Sequence, residues 1–204
     1  MPIITSVSVQ EKKKNRCNLF IDGEFRAGLL VEIAVKYGLK KGRELSEKDI
    51  SDIILENEKK EALLKATDYA SRGLKTKKQL KDNLIKKGYS LPVAYYCVGI
   101  LKDYGIIDDV NYAKSYIESV GKKEGKKLIF YKLMQKGVKK EDIEKAFSES
   151  EYHGDDGALI TLEKYLKNKE KNLETTAKSY RYLAGRGYGY EEIANAISKF
   201  FGEE

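Results

Sequence analysis

Along the first thirty residues apolar and polar positions alternate. Ile3, Val7 and Val9 form one such run, and Cys17, Leu19, Ile21 and Phe25 form another around Asp22-Gly23. Period-two alternation about an Asp-Gly pair is the pattern of a β-hairpin whose turn residues take positive φ. It predicts a three-stranded antiparallel ribbon with turns near Lys13 to Asn15 and at Asp22-Gly23. Val31 to Tyr37 read as a short helix stopped by Gly38, and Ser46 with Asp49 opens a longer helix as a capping-box pair. From there on the apolar spacing is helical, so the fold class is mainly α with a small N-terminal antiparallel β-ribbon.

Three segments of the helical part superpose without gaps. They are Leu84-Ile85-Lys86-Lys87-Gly88-Tyr89, Leu133-Met134-Gln135-Lys136-Gly137-Val138 and Leu183-Ala184-Gly185-Arg186-Gly187-Tyr188. The match continues past each glycine: Ala94, Ile143 and Ile193 coincide, as do Cys97, Ala146 and Ala196, then Val98, Phe147 and Ile197. Each leucine belongs near the end of a helix, and each glycine is the left-handed stop that lets the last carbonyls be satisfied. A second helix follows and packs on the first through its small residue. An apolar-periodic run precedes every pair, at Ala62 to Tyr69, Tyr112 to Val120 and Leu159 to Leu166, so each repeat is a three-helix unit. The expected architecture is an elongated tandem array of three such repeats. Its divisions fall at residues 1–45 (ribbon and short helix), 46–109 (linker helix and first repeat), 110–153 (second repeat) and 154–204 (third repeat).

Composition adds a direction. The chain carries 39 Lys+Arg against 32 Asp+Glu, a net charge of +7. That excess lies in residues 1–154, and residues 155–204 carry a net −1. Only six of the cations are arginine, which favours point-charge attraction to a polyanion over bidentate base reading. No apolar stretch approaches the roughly 20 residues of a membrane span, no secretion signal opens the chain, and the two cysteines form no metal or disulfide spacing. These features lead to the expectation of a cytoplasmic protein with no membrane association; a monomer is expected separately.

Candidate chemistry is thin. The single histidine, His153, stands in His-Gly-Asp-Asp-Gly, which reads as an inter-repeat loop with Asp155 or Asp156 capping the next helix. Gly121 to Lys127 is short of a P-loop by one residue and lacks the Ser or Thr after its lysine, so it reads as a solvated basic loop. Gly185-Arg186-Gly187-Tyr188-Gly189 is the third helix stop and no dinucleotide motif, because no strand precedes it. Cys97 stands where the other repeats place alanine and is a small core residue. Most of the 15 tyrosines fit half-buried packing positions, with base stacking beside Lys75, Lys77 and Lys78 as the alternative. No cofactor, metal or catalytic residue is expected. The helix, tight turn and helix around Thr76 to Ser90 also has the outline of a DNA-reading helix-turn-helix, but the outline recurs twice and is assigned to the repeat scaffold.

The chain resembles the RecX family, regulators of the RecA recombinase. In the first repeat the resemblance rests on Ala66, Tyr69, Ser71-Arg72, Thr76, Leu80, Leu84 and Lys87-Gly88, then Leu101, Gly105 and Asp108-Asp109. It continues in the second through Tyr112-Ala113, Tyr116, Gly125, Leu133 and Lys136-Gly137. The chain departs from the family's pattern at Lys75 and Gln79, where Arg and Glu are frequent, and at Ser119-Val120-Gly121, where an Arg is common. The resemblance implies a non-catalytic protein that binds the RecA filament on single-stranded DNA, damps its ATPase and strand exchange, and limits its growth. Weak direct DNA binding is a further expectation, and a stand-alone basic helical nucleic-acid-binding protein is the alternative function. The expected partner and DNA surface comprises Arg72, Lys75, Lys77, Lys78, Lys86, Lys87, Lys122, Lys123, Lys126, Lys127, Lys136 and Arg186.

Overall fold

The computed structural model describes residues 1–167 and 172–202. It opens with strands β1 (Ile4–Val9), β2 (Arg16–Ile21) and β3 (Glu24–Leu30), followed by the short helix α1 (Val31–Lys36). The sheet is antiparallel in the order β1-β2-β3, with Val7 opposite Leu19 and Cys17 opposite Leu29. Asp22 and Gly23 both have positive φ, 50° and 88°, the conformation a two-residue hairpin turn demands. One face of the sheet buries Ile4, Cys17, Leu19 and Leu29 against Ile33 of α1 and against Ile50 and Ile53. The last two belong to α2 (Glu47–Ala70), which starts at the Ser46/Asp49 capping box. Asn57 of α2 fixes that packing, its buried side-chain oxygen accepting the Leu30 amide at 2.7 Å.

The remaining helices are α3 (Lys77–Lys86), α4 (Leu91–Asp103), α5 (Asp109–Val120), α6 (Lys126–Gln135), α7 (Lys140–Ser148), α8 (Gly154–Leu166), α9 (Leu173–Gly185) and α10 (Tyr190–Phe201). They carry the three sequence copies as α2–α4, α5–α7 and α8–α10. Contacts divide the chain into two units: Met1–Gly73 with Leu80–Tyr104, and Leu74–Gln79 with the chain from Gly105 onward.

Each repeated glycine closes its middle helix in the same way. Gly88, Gly137 and Gly187 have φ of 90°, 85° and 87°. The amides of Tyr89, Val138 and Tyr188 reach back to the carbonyls of Leu84, Leu133 and Leu183, and those of the glycines to Ile85, Met134 and Ala184. This double bond pattern is the Schellman motif, present three times in one register, and all three leucines are fully buried.

The partner of the small residue differs from the sequence expectation. In every repeat the tightest helix pair is the first with the third, α2 with α4, α5 with α7 and α8 with α10. Cys97 accordingly lies 4.0 Å from the Lys59 carbonyl of α2. A stop that reverses the chain carries the third helix past the middle one and back onto the first. The middle helix is therefore left with its N-terminal turn free to meet something else.

Candidate functional site: two basic repeat junctions

What the middle helices meet is the stop of the next repeat. At the start of α3, Thr76 and Gln79 form a capping box, Thr76 Oγ1 accepting the Gln79 amide at 3.1 Å and the Thr76 amide donating to Gln79 Oε1 at 3.0 Å. The same hydroxyl donates to the Lys136 carbonyl at 2.8 Å, one residue before Gly137. Lys78 Nζ reaches the Gln135 carbonyl at 3.3 Å, and the Lys77 amide donates to Asp109 Oδ1 at 2.9 Å. Asp109 is only 2% exposed and holds Lys77 Nζ at 3.6 Å.

At the start of α6 the arrangement recurs one repeat later. The Gly125 amide donates to the Arg186 carbonyl at 2.9 Å, and the Lys127 amide to the Gly187 carbonyl at 3.1 Å. The Lys126 amide points at the hydroxyl oxygen of Tyr152. Burial pushes that phenol well above its usual range, so it stays protonated and donates to Glu192 Oε1 at 3.4 Å. The other oxygen of Glu192 caps α10 by accepting the Gly189 amide at 2.5 Å.

Two lysines in a first helical turn oppose the positive end of the helix dipole. Here that cost is offset, because the junction sets them on the carbonyl end of the neighbouring middle helix. The structure thus brings Lys77 and Lys78 together with Lys136, and Lys126 and Lys127 together with Arg186. Three of these cations rest on aromatic faces: Lys136 lies 5.6 Å from the Tyr116 ring centroid, Lys126 5.1 Å from that of Phe147 and Arg186 5.2 Å from that of Tyr182. Tyr182 in turn stacks on Tyr165 at 4.1 Å. Such contacts orient the cations while leaving them hydrated.

The other residues expected at the surface are placed individually. Lys122 and Lys123 are exposed in the turn between α5 and α6, and Lys122 borders a cleft of about 390 Å³ with His153 and Tyr152. Arg72 pairs with Asp68 at 2.8 Å, Lys75 is half-buried, and Lys86 and Lys87 are exposed at the end of α3. Residues the sequence did not single out complete the second junction. Phe130 and Tyr190 line, with Lys126 and Lys127, an open groove of about 760 Å³, and Tyr190 is 71% exposed. The signal available for it was local, since Tyr190 follows Gly189 directly and precedes the periodic face of α10.

Two expectations about individual residues are refined. Asp155 and Asp156 lie in the first turn of α8, whose N-cap is His153, and Asp155 accepts from Asn195 at 3.2 Å. Cys97 is buried, which pushes its thiol up to about 11. Its thiolate is correspondingly scarce at pH 8, so iodoacetamide should label the folded protein at Cys97 at least about a hundredfold more slowly than the unfolded chain. Rapid labelling in the native state would contradict the burial. Among the described residues no three His, Cys, Asp or Glu side chains group as metal ligands, and no helix is long and apolar enough to cross a membrane.

Fold and junctions together define a helical-repeat protein whose distinctive surface is a basic, aromatic-backed one. The family model for the regulatory protein RecX N-terminal domain matches residues 2–46, and that for the second three-helix domain of RecX matches residues 108–146. Regulatory protein RecX of Clostridium botulinum (strain Eklund 17B / Type B) is 33% identical over 208 residues, covering 98% of this chain and 96% of that protein. The same-named protein of Bacillus subtilis (strain 168) is 30% identical, covering 98% and 77%. The crystal structure of a regulatory protein RecX aligns over the whole of both chains with a TM-score of 0.72 at 22% identity. That of RecX from Lactobacillus salivarius gives 0.63 at 23% identity, over 70% of this chain and 96% of that one; at these identities both bear on the fold alone. The chain belongs to the RecX family of regulatory proteins.

Proposed function

We propose that this protein is a non-catalytic regulator of homologous recombination and DNA repair, acting in the cytoplasm as a monomer. It binds the RecA filament on single-stranded DNA and damps ATP hydrolysis, strand exchange and filament growth. The observation that supports this reading most is the repetition of one basic junction along a chain of a regulatory family. Lys126 and Lys127 stand at one end of α6 and Lys136 at the other, about 15 Å apart along a ten-residue helix. A repeating partner such as a filament offers each junction an equivalent acidic site, so weak contacts gain by being linked.

The test is single-strand-dependent ATP hydrolysis by the cognate RecA while the protein is titrated in, with a control lacking RecA. Inhibition well below one molecule per RecA protomer is the expected result. Reversing Lys126 and Lys127 together to Glu should raise the concentration needed by about tenfold, equivalent to about 1.4 kcal/mol. Unchanged inhibition would remove this junction from the contact surface.

One observation favours a second reading, direct binding of single-stranded nucleic acid. Tyr190 exposes most of its ring beside Lys126 and Lys127 in the open groove, the pairing of aromatic and cation that stacks bases and neutralises phosphates. Binding that falls steeply with salt and is the same with and without RecA would select it.

A further inference from the structure

The stops of α6 and α9 are both covered. A Cβ at Gly137 would meet the side-chain carbons of Lys78 from 2.3 Å, and one at Gly187 would meet the backbone nitrogen and Cβ of Leu128 at 2.4 Å. In both, the carbonyl before the glycine is filled by the start of a middle helix, Thr76 on Lys136 and Gly125 on Arg186. The stop of α3 has the same closure and the same φ, yet it stands open. Gly88 is exposed, a Cβ there would meet nothing within 4 Å, and the Lys86 and Lys87 carbonyls accept no hydrogen bond among the described residues.

We propose that the Lys87-Gly88 stop is a docking site for the N-terminus of an α-helix supplied by another protein. The two covered copies specify its chemistry: a small or hydroxylated N-cap that donates to the carbonyl before the glycine, followed by two lysines, of which Lys78 reaches the Gln135 carbonyl with its side chain in one copy and Lys127 reaches the Gly187 carbonyl with its amide in the other. The open carbonyls and the negative end of the α3 dipole are complementary to it. A second copy of this chain does not supply such a helix. Thr76-Lys77-Lys78 and Gly125-Lys126-Lys127 are engaged internally, and no other described helix begins with a small N-cap followed by two lysines. The inference does not depend on RecA as the partner.

The probe is a fluorescein-labelled peptide of residues 74–87, held helical by a lactam staple on its solvent face and titrated into the full chain by fluorescence polarisation. Saturable binding is expected. Gly88→Asn should weaken it by at least about tenfold while the variant still unfolds cooperatively at a modestly lower melting temperature, because Asn tolerates a left-handed φ better than other side chains do and the space above residue 88 is open. The new side chain stands where the covered stops admit no Cβ. On the wild-type protein, a peptide with Leu in place of its N-cap Thr should bind as weakly. No saturable binding, or binding indifferent to Gly88→Asn or to the N-cap change, overturns the proposal. None of these outcomes bears on inhibition of RecA, which is read separately.

Discussion

Leu133→Asp is expected to abolish cooperative folding of the second repeat, whereas Met134→Asp, one residue further on, should shift stability by no more than about 0.5 kcal/mol. Leu133 is fully buried within the cluster of Ala113, Ile117, Ile129, Val138, Ile143 and Ala146. Removing its side chain alone would cost about 2–5 kcal/mol, and the carboxyl that replaces it has no buried partner and must be ionised or protonated at further cost. The sum is comparable with the whole stability of a domain of this size. Met134 is 46% exposed, so the same substitution there leaves the carboxylate in water. Thermal unfolding followed by circular dichroism separates the two. A Leu133→Asp variant that melts like the wild type would refute the repeat register, and a collapsed Met134→Asp variant would show the helix rotated from its described face.

The register could be read from sequence because a helix stop is local. A glycine four residues after a core leucine fixes both the sign of φ and the reach of two backbone bonds, and all three copies keep that spacing. The Asp22-Gly23 turn and the capping box at Ser46 are local in the same sense. The junctions were not readable, since Thr76 meets Lys136 and Gly125 meets Arg186 across about sixty residues of chain, and no periodicity encodes which helix end a turn will touch. Gly121 to Lys127 shows the consequence. It reads as a solvated basic loop, and Lys122 and Lys123 are indeed exposed, but Gly125 within it is buried against the next repeat. The lysines of the candidate surface were visible one by one, while their grouping into two clusters was a property of packing. Tyr190 and Phe130 were missed because aromatic residues in periodic helices look alike whether they face core or solvent.

Gly125→Ala and Gly185→Ala should move stability in opposite directions, although both add one methyl group to neighbouring structures. Gly125 has φ −77° and ψ 160°, a conformation any residue adopts, so backbone strain plays no part in the outcome. Its added Cβ would stand 2.2 Å from the Gly187 carbonyl carbon and from the Tyr188 nitrogen. Those atoms are backbone held by the Schellman bonds and cannot swing aside, so the two repeats must separate or the stop must open. A loss of about 3 kcal/mol is expected. Gly185 ends α9 with nothing within 4 Å of its added Cβ, and there alanine gains up to about 1 kcal/mol of helix propensity. Gly187→Ala would be a poorer probe of the junction, because its positive φ penalises alanine wherever the neighbours lie. Chemical denaturation of the two variants decides the matter: a Gly125→Ala protein as stable as Gly185→Ala would mean that the start of α6 does not sit on the stop of α9. The same measurement would then remove the physical basis for grouping Lys126 and Lys127 with Arg186.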